Sequence, residues 1–144
     1  MKLTRASSYA LHAVAYMAQQ KNSDKPVASH KIAQERGIPE RFLLKVLKPL
    51  VSARVLMSIK GPNGGYKLAR PASDITVLEI VEAVDGPIRG QAPPPEKEDK
   101  KRFPHYKPEL SESIYNKLEN LCRQTAEQVR KQIERVRVSE LVKK

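Results

Sequence analysis

The first segment with a regular apolar pattern lies near the start of the chain, at residues 5–20. Its apolar side chains recur at spacings of three and four residues, which places them on one face of a helix. These side chains are Tyr9, Ala13, Tyr16 and Met17. Thr4 precedes them and suits the N-cap position, so this segment is predicted to form an amphipathic helix.

The next two segments predict a pair of short helices joined by a turn. SHKIAQERG begins at Ser29, a candidate cap, and ends at Gly37, which can take the left-handed conformation that closes a helix. Pro39 then fits the first position of a second helix, ERFLLKVLKPLV. The apolar positions of that helix share one face, and they are Phe42, Leu43, Val46, Leu47 and Leu50.

Cationic side chains occupy the opposite face of this second helix, at Arg41, Lys45 and Lys48. Two short helices joined through a glycine turn, the second with a cationic outer stripe, are typical of a helix-turn-helix. Two core helices with solvated lysines would show the same pattern, so the pattern alone leaves both interpretations open.

A glycine-rich cluster follows between two apolar runs. The string KGPNGGYKLARP separates Val55–Ile59 from the alternating run Tyr66–Ala69, which predicts a β-hairpin. A hairpin directly after a helix-turn-helix corresponds to the wing of a winged-helix domain, with Lys60 and Lys67 near phosphates or a minor groove. A phosphate-binding P-loop is disfavoured because the cluster lacks a following Lys-Ser/Thr pair and opens a strand.

Two further helices are predicted, separated by a loop. TVLEIVEAVD opens with a capping box formed by Thr76 and Glu79, and residues 76–85 are therefore predicted to be helical. Residues 86–108 hold six of the eleven prolines and a mixed run of charges, which predicts a loop. One long helix is predicted from residue 110 to about residue 141.

The long helix carries a single narrow apolar stripe. A lone helix of this length cannot bury such a stripe along a domain of this size, so we expect a second copy of the chain to cover it. The predicted dimerisation residues are Ile114, Leu118, Leu121, Cys122, Val129, Ile133 and Val136.

Length and charge narrow the class of protein. A chain of 144 residues indicates one domain with an extension, here divided into a winged domain (1–86), a linker (87–109) and a dimerisation helix with its tail (110–144). The sequence shows neither an apolar run of membrane-spanning length nor a signal peptide, so a cytoplasmic location without a membrane partner is predicted. The net charge is +11, and residues 25–70 hold ten basic residues against only two acidic ones, which favours a polyanionic partner.

The residues with reactive side chains do not indicate an enzyme. The single cysteine, Cys122, excludes an intrachain disulfide and a cage of several cysteines, and no cofactor or metal is expected. His12, His30 and His105 fall in three separate segments, so no nucleophile and base are assembled. Cys122 itself is predicted to be a small buried hydrophobe at the dimer seam, with a disulfide between two copies as the alternative.

Four strings together resemble one family. In chain order, MKLTRASSYALHAVAYMA, IAQERGIPERFLLKVLKPL, KGPNGGYKLARP and DITVLEIVEAVDGP are similar to the segments of the IscR-like winged-helix transcription regulators. This resemblance covers residues 1–88 closely and implies a mainly α fold with a small β-hairpin wing and a long C-terminal dimerisation helix. It also implies a homodimer whose second motif helix enters the major groove while the wing follows the minor groove.

The resemblance implies specific DNA contacts. On the recognition helix they are Pro39, Arg41, Phe42, Leu44, Lys45 and Lys48, and on the wing Lys60, Gly61, Asn63 and Gly64. Ser29, Lys31 and Lys67 complete the predicted set of DNA-binding residues.

The chain departs from the family pattern in four places. The loop at residues 86–108 lacks the three cysteines with which many relatives bind an iron–sulfur cluster, so that cluster is not expected here. Leu44 stands where such relatives often carry a base-reading glutamate, so their target sequence is not expected either. Pro49 lies late in the recognition helix, where its ring removes the bond to the Lys45 carbonyl and is expected to bend the last turn. Arg54 stands where relatives usually have a glycine, and this substitution costs roughly 1 kcal/mol if a positive φ is retained.

The sequence therefore predicts a homodimeric, sequence-specific DNA-binding regulator that represses transcription from a pseudo-palindromic site in double-stranded DNA. An architectural or RNA-binding basic protein is the alternative, because it would use the same charge without reading bases. The target genes and the effector, whether a small molecule or a protein, do not follow from the sequence.

Overall fold

The computed structural model describes residues 1–94 and 102–144, which are mainly helical with one two-stranded hairpin. The elements in chain order are α1 (Arg5–Ala18), α2 (Ser29–Arg36), α3 (Glu40–Ser52), β1 (Leu56–Ile59), β2 (Gly65–Leu68), α4 (Val77–Asp85), α5 (Pro108–Glu134) and α6 (Val138–Leu141). A 3₁₀ turn, Ala72–Asp74, precedes α4. The chain divides into one unit of Met1–Pro87 with Lys131–Lys144, and a second unit of Ile88–Arg130.

The first unit is built around α1, which contacts α3, α4 and α6. Its fully buried side chains come from every helix of this unit and from the strand that follows α3, including Val14, Ile32, Leu43, Leu47, Leu50, Leu56, Ile80 and Val138. Each large aliphatic side chain buried in this way stabilises the fold by about 1.5–3 kcal/mol. Val138, in the short helix near the end of the chain, therefore belongs to the same core as the helix-turn-helix.

The N-cap of α1 confirms the prediction for Thr4. The Ser7 backbone N–H donates to the Thr4 hydroxyl oxygen at 3.0 Å, and the hydroxyl itself donates to the Asp85 carboxylate at 2.8 Å. The start of α1 is thereby joined to the end of α4. The helix ends at Ala18, two residues before the predicted end.

The turn between α2 and α3 has the predicted left-handed glycine, with Gly37 at φ 62°. Two cap assignments were wrong by one residue. Ala28 occupies the N-cap of α2, and Ser29 is its first helical residue, whose hydroxyl donates to Glu40 Oε1 at 3.2 Å. Pro39 is the N-cap of α3 instead of its first helical residue, because its ψ of 126° is extended.

Helix α3 continues through Pro49 to Ser52 and is followed by a strained turn. Arg54 has φ 58°, and it is the only non-glycine residue with positive φ among residues 1–94 and 102–144. The positive φ is thus retained where Arg54 stands in place of a glycine. A side chain with a Cβ in this region costs about 1 kcal/mol or more.

The hairpin is antiparallel, with Leu56 paired to Leu68 and Ile59 paired to Gly65. Val27 adds a bridge on the outer side of β2, where its N–H and carbonyl each bond to Tyr66 at 2.8 Å. Gly65 has φ 149°, and a Cβ there would overlap the Val27 carbonyl. Gly65 is thus required because the backbone at Val27, before α2, lies too close to leave room for a Cβ.

Helix α4 has the predicted capping box, in which Thr76 and Glu79 satisfy each other's backbone N–H groups. The segment after α5 returns to this cap. Val77 N–H donates to the Val136 carbonyl and Val138 N–H to the Ile75 carbonyl, each at 2.9 Å.

The prediction of one helix to residue 141 was therefore wrong. The long helix ends at Glu134, because residues 136–138 pair with the residues around Thr76 instead of continuing the helical bonds. Val136 lies in this connecting segment and is not part of a helical dimerisation stripe.

The second unit contains α5 as far as Arg130 and the segment Ile88–Pro94 with the turns before the helix. The Ala92 N–H donates to the Glu119 carboxylate at 2.7 Å, and a Cβ on Gly90 would overlap the Cys122 carbonyl. The segment Ile88–Ala92, here called the strap, thus lies against the face of α5 that carries Cys122.

The apolar residues of α5 form two neighbouring stripes, where the sequence predicted one. An exposed stripe has spacings of four, four and three residues and comprises Leu110, Ile114, Leu118 and Leu121. A half-buried stripe lies about 100° further around the helix and includes Tyr115, Cys122, Val129 and Ile133. Within the described residues, no helix is both long and apolar enough to cross a membrane.

Candidate nucleic-acid interface

The outer face of α3 is cationic along its length. Leu43, Val46, Leu47 and Leu50 turn inward and are buried, which leaves the intervening positions in solvent. The predicted contact residues Arg41, Leu44, Lys45 and Lys48 are all exposed on this outer side. The structure thus brings together four of the six positions predicted on the recognition helix, and Pro39 at its N-cap is exposed as well.

Phe42 was predicted both to face the core and to contact DNA, and the first part was wrong. Its side chain is 51% exposed, because it lies at the edge of the buried face and contacts α1 instead of the core. The Tyr9 ring meets it edge to face with centroids 6.4 Å apart. On its other side, Lys45 Nζ lies 5.6 Å from the Phe42 centroid. Phe42 is thereby held between α1 and the lysine of its own helix.

The positive charges of this face are not neutralised by carboxylates of the described residues. Among the described residues, Arg41, Lys45 and Lys48 form no ion pair with any carboxylate. Ammonium and guanidinium groups left free in this way raise the local potential and attract polyanions. The exposed leucine at position 44, which is 43% exposed, adds an apolar contact within the same cationic surface.

The wing presents a second cationic surface. Lys60, Gly61 and Asn63 are exposed at its tip, and Gly61 has φ 112° with open space where a side chain would lie. Gly64 is half-buried, and a Cβ there would overlap the Ile59 carbonyl, so the turn itself requires this glycine. Lys67 lies on β2 opposite Met57 and is half-buried. Gly64 and Lys67 are thus less accessible than the tip.

The two DNA contacts predicted on α2 differ in their exposure to solvent. Lys31 is exposed on the outer side of the helix. Ser29 is half-buried, and its hydroxyl donates to Glu40, which joins the first turns of α2 and α3. The hydroxyl therefore holds the two motif helices together.

A further cationic surface at the start of α1 was not predicted. Lys2, Arg5, Ser8 and Tyr9 line a shallow depression, and Tyr9 connects it to Phe42 on α3. The apolar pattern assigned Tyr9 to the core, which concealed this surface. The signal in the sequence was a pair of basic residues around the N-cap of a helix whose first turn has no acidic residue.

A partly buried ion pair joins the segment after β2 to α4. Arg70 Nη2 is 2.7 Å from Glu79 Oε1, and both side chains are about one third exposed. Partial burial acts to raise the pKa of Glu79, but the hydrogen bond from the Thr76 backbone and the bond and charge of Arg70 together lower it below the ordinary value. Glu79 is therefore ionised at neutral pH.

The described residues do not assemble a catalytic or metal centre. His12, His30 and His105 are all exposed and lie in different segments. Residues 1–94 and 102–144 contain no group of three His, Cys, Asp or Glu side chains that could hold a metal ion.

The chain is similar to known transcriptional regulators. A model of the Rrf2 family, described as "Iron-dependent Transcriptional regulator", matches residues 3–144. A putative HTH-type transcriptional regulator, rrf2-like, from Rhodobacter capsulatus is 39% identical over 88 residues, which are 60% of this chain and 59% of that protein. The HTH-type transcriptional regulator IscR of Cereibacter sphaeroides is 37% identical over 86 residues, 59% of this chain and 56% of that protein. The chain thus spans little more than half the length of these curated relatives.

A solved structure supports the fold over the whole chain. CymR, the global cysteine regulator of B. subtilis, superposes with a TM-score of 0.72 at 23% identity, covering 99% of this chain and 96% of that one. At this identity the likeness concerns the fold, and it confirms the predicted winged-helix architecture with a long C-terminal helix.

The thiol groups of this chain do not fit an iron–sulfur cluster. An iron–sulfur cluster needs several thiolates, and the chain has only Cys122. That cysteine lies on α5 with its carbonyl against Gly90, apart from any cluster of acidic or imidazole side chains among the residues described.

Proposed function

Because the chain belongs to the Rrf2 family of transcriptional regulators, we propose that it is a homodimeric repressor that reads a pseudo-palindromic site in double-stranded DNA. As a transcriptional regulator it is not an enzyme. The homodimer, the repression and the symmetric site are proposals that build on this membership and on the surfaces described above.

The observation that carries the proposal is the outer face of α3. Its three cations, Arg41, Lys45 and Lys48, have no ion pair with a carboxylate of residues 1–94 or 102–144, and they flank an exposed apolar side chain, Leu44. An α-helix fits the major groove, where arginine pairs with guanine and apolar groups contact the thymine methyl. A face that combined only lysines would bind phosphates alone, so Arg41 and Leu44 supply the potential for base readout.

The remaining cations position the helix on the DNA backbone. Lys31 on α2 and Lys60 at the wing tip lie exposed at positions where phosphate contacts are typical of winged-helix domains. Such contacts contribute affinity that falls with salt and carries no sequence information. The exposed tip with Gly61 allows the backbone of the wing to approach the minor groove.

The exposed stripe of α5 supports the dimer. Leu110, Ile114, Leu118 and Leu121 are 63%, 50%, 48% and 58% exposed, although they line one side of the helix. A row of apolar side chains with helical spacing is typical of a seam between two helices. A second copy of the chain brings an identical row and closes the seam around a two-fold axis.

Selection of bound fragments from genomic DNA tests this function. The proposal predicts enrichment of a two-fold symmetric motif whose half-sites lie about one helical turn, roughly 34 Å, or a multiple of it apart. Enrichment without any motif would favour an architectural protein that binds the backbone alone. Placing the selected site before a reporter gene should then lower expression when the protein is present, whereas raised expression would contradict repression.

A further inference from the structure

One guanidinium group, that of Arg70, connects three elements around the wing. Arg70 lies two residues after β2, and its Nε donates to the Arg54 carbonyl at 3.3 Å. Its Nη1 donates to the Asp74 carbonyl at 3.0 Å, and its Nη2 to Glu79 Oε1 at 2.7 Å. Arg54 follows α3, Asp74 ends the 3₁₀ turn and Glu79 lies in the first turn of α4. The base of the wing is thus tied to the end of the candidate recognition helix and to α4.

The bond to Arg54 reaches a strained residue. Arg54 holds φ 58° without being a glycine, and it connects α3 to the strand that begins the wing. The same turn is closed by Val55 N–H donating to the Leu50 carbonyl and by Ala69 N–H donating to the Val55 carbonyl, each at 3.0 Å. A strained conformation persists only where its surroundings fix it. Arg70 is one of the groups that fix this turn.

The bond to Glu79 reaches the cap of α4. Glu79 Oε2 accepts from the Thr76 N–H at 2.8 Å while Oε1 accepts from Arg70, so one carboxylate serves both. Thr76 also pairs with Arg137 in the segment after α5. The guanidinium therefore holds the wing against the start of α4, which is itself bonded to the segment after α5.

We propose that Arg70 is a positioning residue for DNA recognition: it fixes the wing relative to α3, so that Lys60 and Arg41 engage one DNA site together. This inference rests on the function proposed above. Arg70 is half-buried with all three donor nitrogens in use, and it acts without contacting DNA. Two surfaces held in register bind one site with less loss of freedom than two that move independently.

The first experiment needs no DNA and compares Arg70→Lys with the unchanged chain by amide hydrogen exchange. Lysine keeps the charge but lacks the fork that reaches three acceptors. The Ala69 amide and those of β1 and β2 should exchange about tenfold faster, the effect of one charge-assisted hydrogen bond on local opening. Core amides such as that of Leu47 should be unchanged. Equal exchange at the wing in both proteins would overturn the positioning role.

Arg54→Gly is the matched control in this experiment. It removes an exposed cationic side chain and the strain of the positive φ, but it keeps the carbonyl to which Arg70 donates. We expect exchange at the wing to rise by no more than about twofold above that of the unchanged chain, since the bond remains and the strain is removed. Wing exchange that rises as much as in Arg70→Lys would assign the effect to the turn and contradict a specific role of the guanidinium.

The second experiment measures the ratio of affinities for the selected site and for random DNA at several salt concentrations. For Arg70→Lys the ratio should fall by about tenfold while the salt slope stays the same, because no phosphate contact is lost. A slope lowered by about one unit would make Arg70 a phosphate contact and overturn the inference. If the unchanged chain itself shows a ratio near one, the proposed function fails, and the hydrogen exchange result decides the positioning role alone.

Discussion

The Tyr9 ring stands edge-on to the Phe42 ring, with an interplanar angle of 70° and centroids 6.4 Å apart. This contact joins the first helix to the outer side of α3 and keeps Phe42 out of the core. Phe42 and its neighbour Leu43 therefore have different surroundings, although the sequence pattern placed both on the buried face.

The first prediction compares truncation of these two neighbours. Phe42→Ala should lower the free energy of unfolding by about 0.5–1.5 kcal/mol, the value of an aromatic pair. Leu43→Ala, which empties a fully buried position, should cost about 2–5 kcal/mol. Denaturant unfolding of both variants provides the measurement. Similar losses in the two variants would show that Phe42 belongs to the core after all.

The second prediction separates contacts with phosphates from contacts with bases. Lys60→Ala should weaken binding to the selected site and to random DNA alike, and should lower the salt slope by about one unit. Arg41→Ala should lose about 1–3 kcal/mol on the selected site, with the loss confined to one base pair of each half-site. Binding titrations against single-base variants of the site provide the test. If both variants lose equally on both DNAs, Arg41 does not read a base.

The third prediction concerns the strap and Cys122. Gly90→Ala places a methyl group where the Cys122 carbonyl lies, so the strap has to move away from α5. The rate of alkylation of the Cys122 thiol should then rise by about tenfold or more, because reactivity of a thiol follows its exposure. Gln91→Ala is a control within the strap, since Gln91 is exposed and the change adds no atom next to α5.

Alkylation that stays as slow in Gly90→Ala as in the control would contradict the position of the strap. The same reaction addresses the disulfide considered for two copies of Cys122. A packing role predicts that Cys122→Ser keeps most DNA affinity under reducing conditions. A covalent dimer that forms quantitatively on mild oxidation, with a change in DNA affinity that is absent from Cys122→Ser, would contradict the packing role.

The fourth prediction is a pH dependence of stability through Glu79. Its pKa is lowered in the folded chain from the ordinary value of 4.5, so the ionised carboxylate stabilises the fold. This contribution is fully present above pH 4.5 and is lost as the pH falls through the lower pKa of the folded state. The difference in unfolding free energy between the unchanged chain and Glu79→Gln should therefore shrink below pH 4.5. A difference that stays constant down to the acid transition would contradict this role.

Much of the winged domain could be predicted because its signals are local. The Thr4 cap, the left-handed Gly37 and the Thr76 capping box each depend on residues only a few positions apart. The buried and exposed side chains of α3 follow the helical period, so the exposure of its cations was predicted correctly. Only Phe42, which the pattern placed in the core, is exposed instead.

The features that were missed depend on residues distant in the sequence. Helix α5 ends at Glu134 because Val136 bonds to Val77, a partner that no local pattern reveals. Its apolar residues form two stripes, and the strap lies beside Cys122 of one stripe although it precedes the helix by a long stretch of chain. Likewise, the sequence shows Arg70 only as a basic residue next to the wing. Its bonds to Arg54 and Glu79 join residues that come together only in the folded chain.

The central claim, that two symmetric copies of α3 read DNA sequence, is tested most directly by the affinity for three duplexes. These are the selected site, the same site with one half scrambled, and the site with both halves scrambled, measured at one fixed salt concentration. We expect the intact site to bind about 10³-fold or more tightly than the fully scrambled one, with a large part of that ratio already lost when one half is scrambled. Equal affinities for all three duplexes would contradict base readout by α3 and leave a protein that binds the DNA backbone alone.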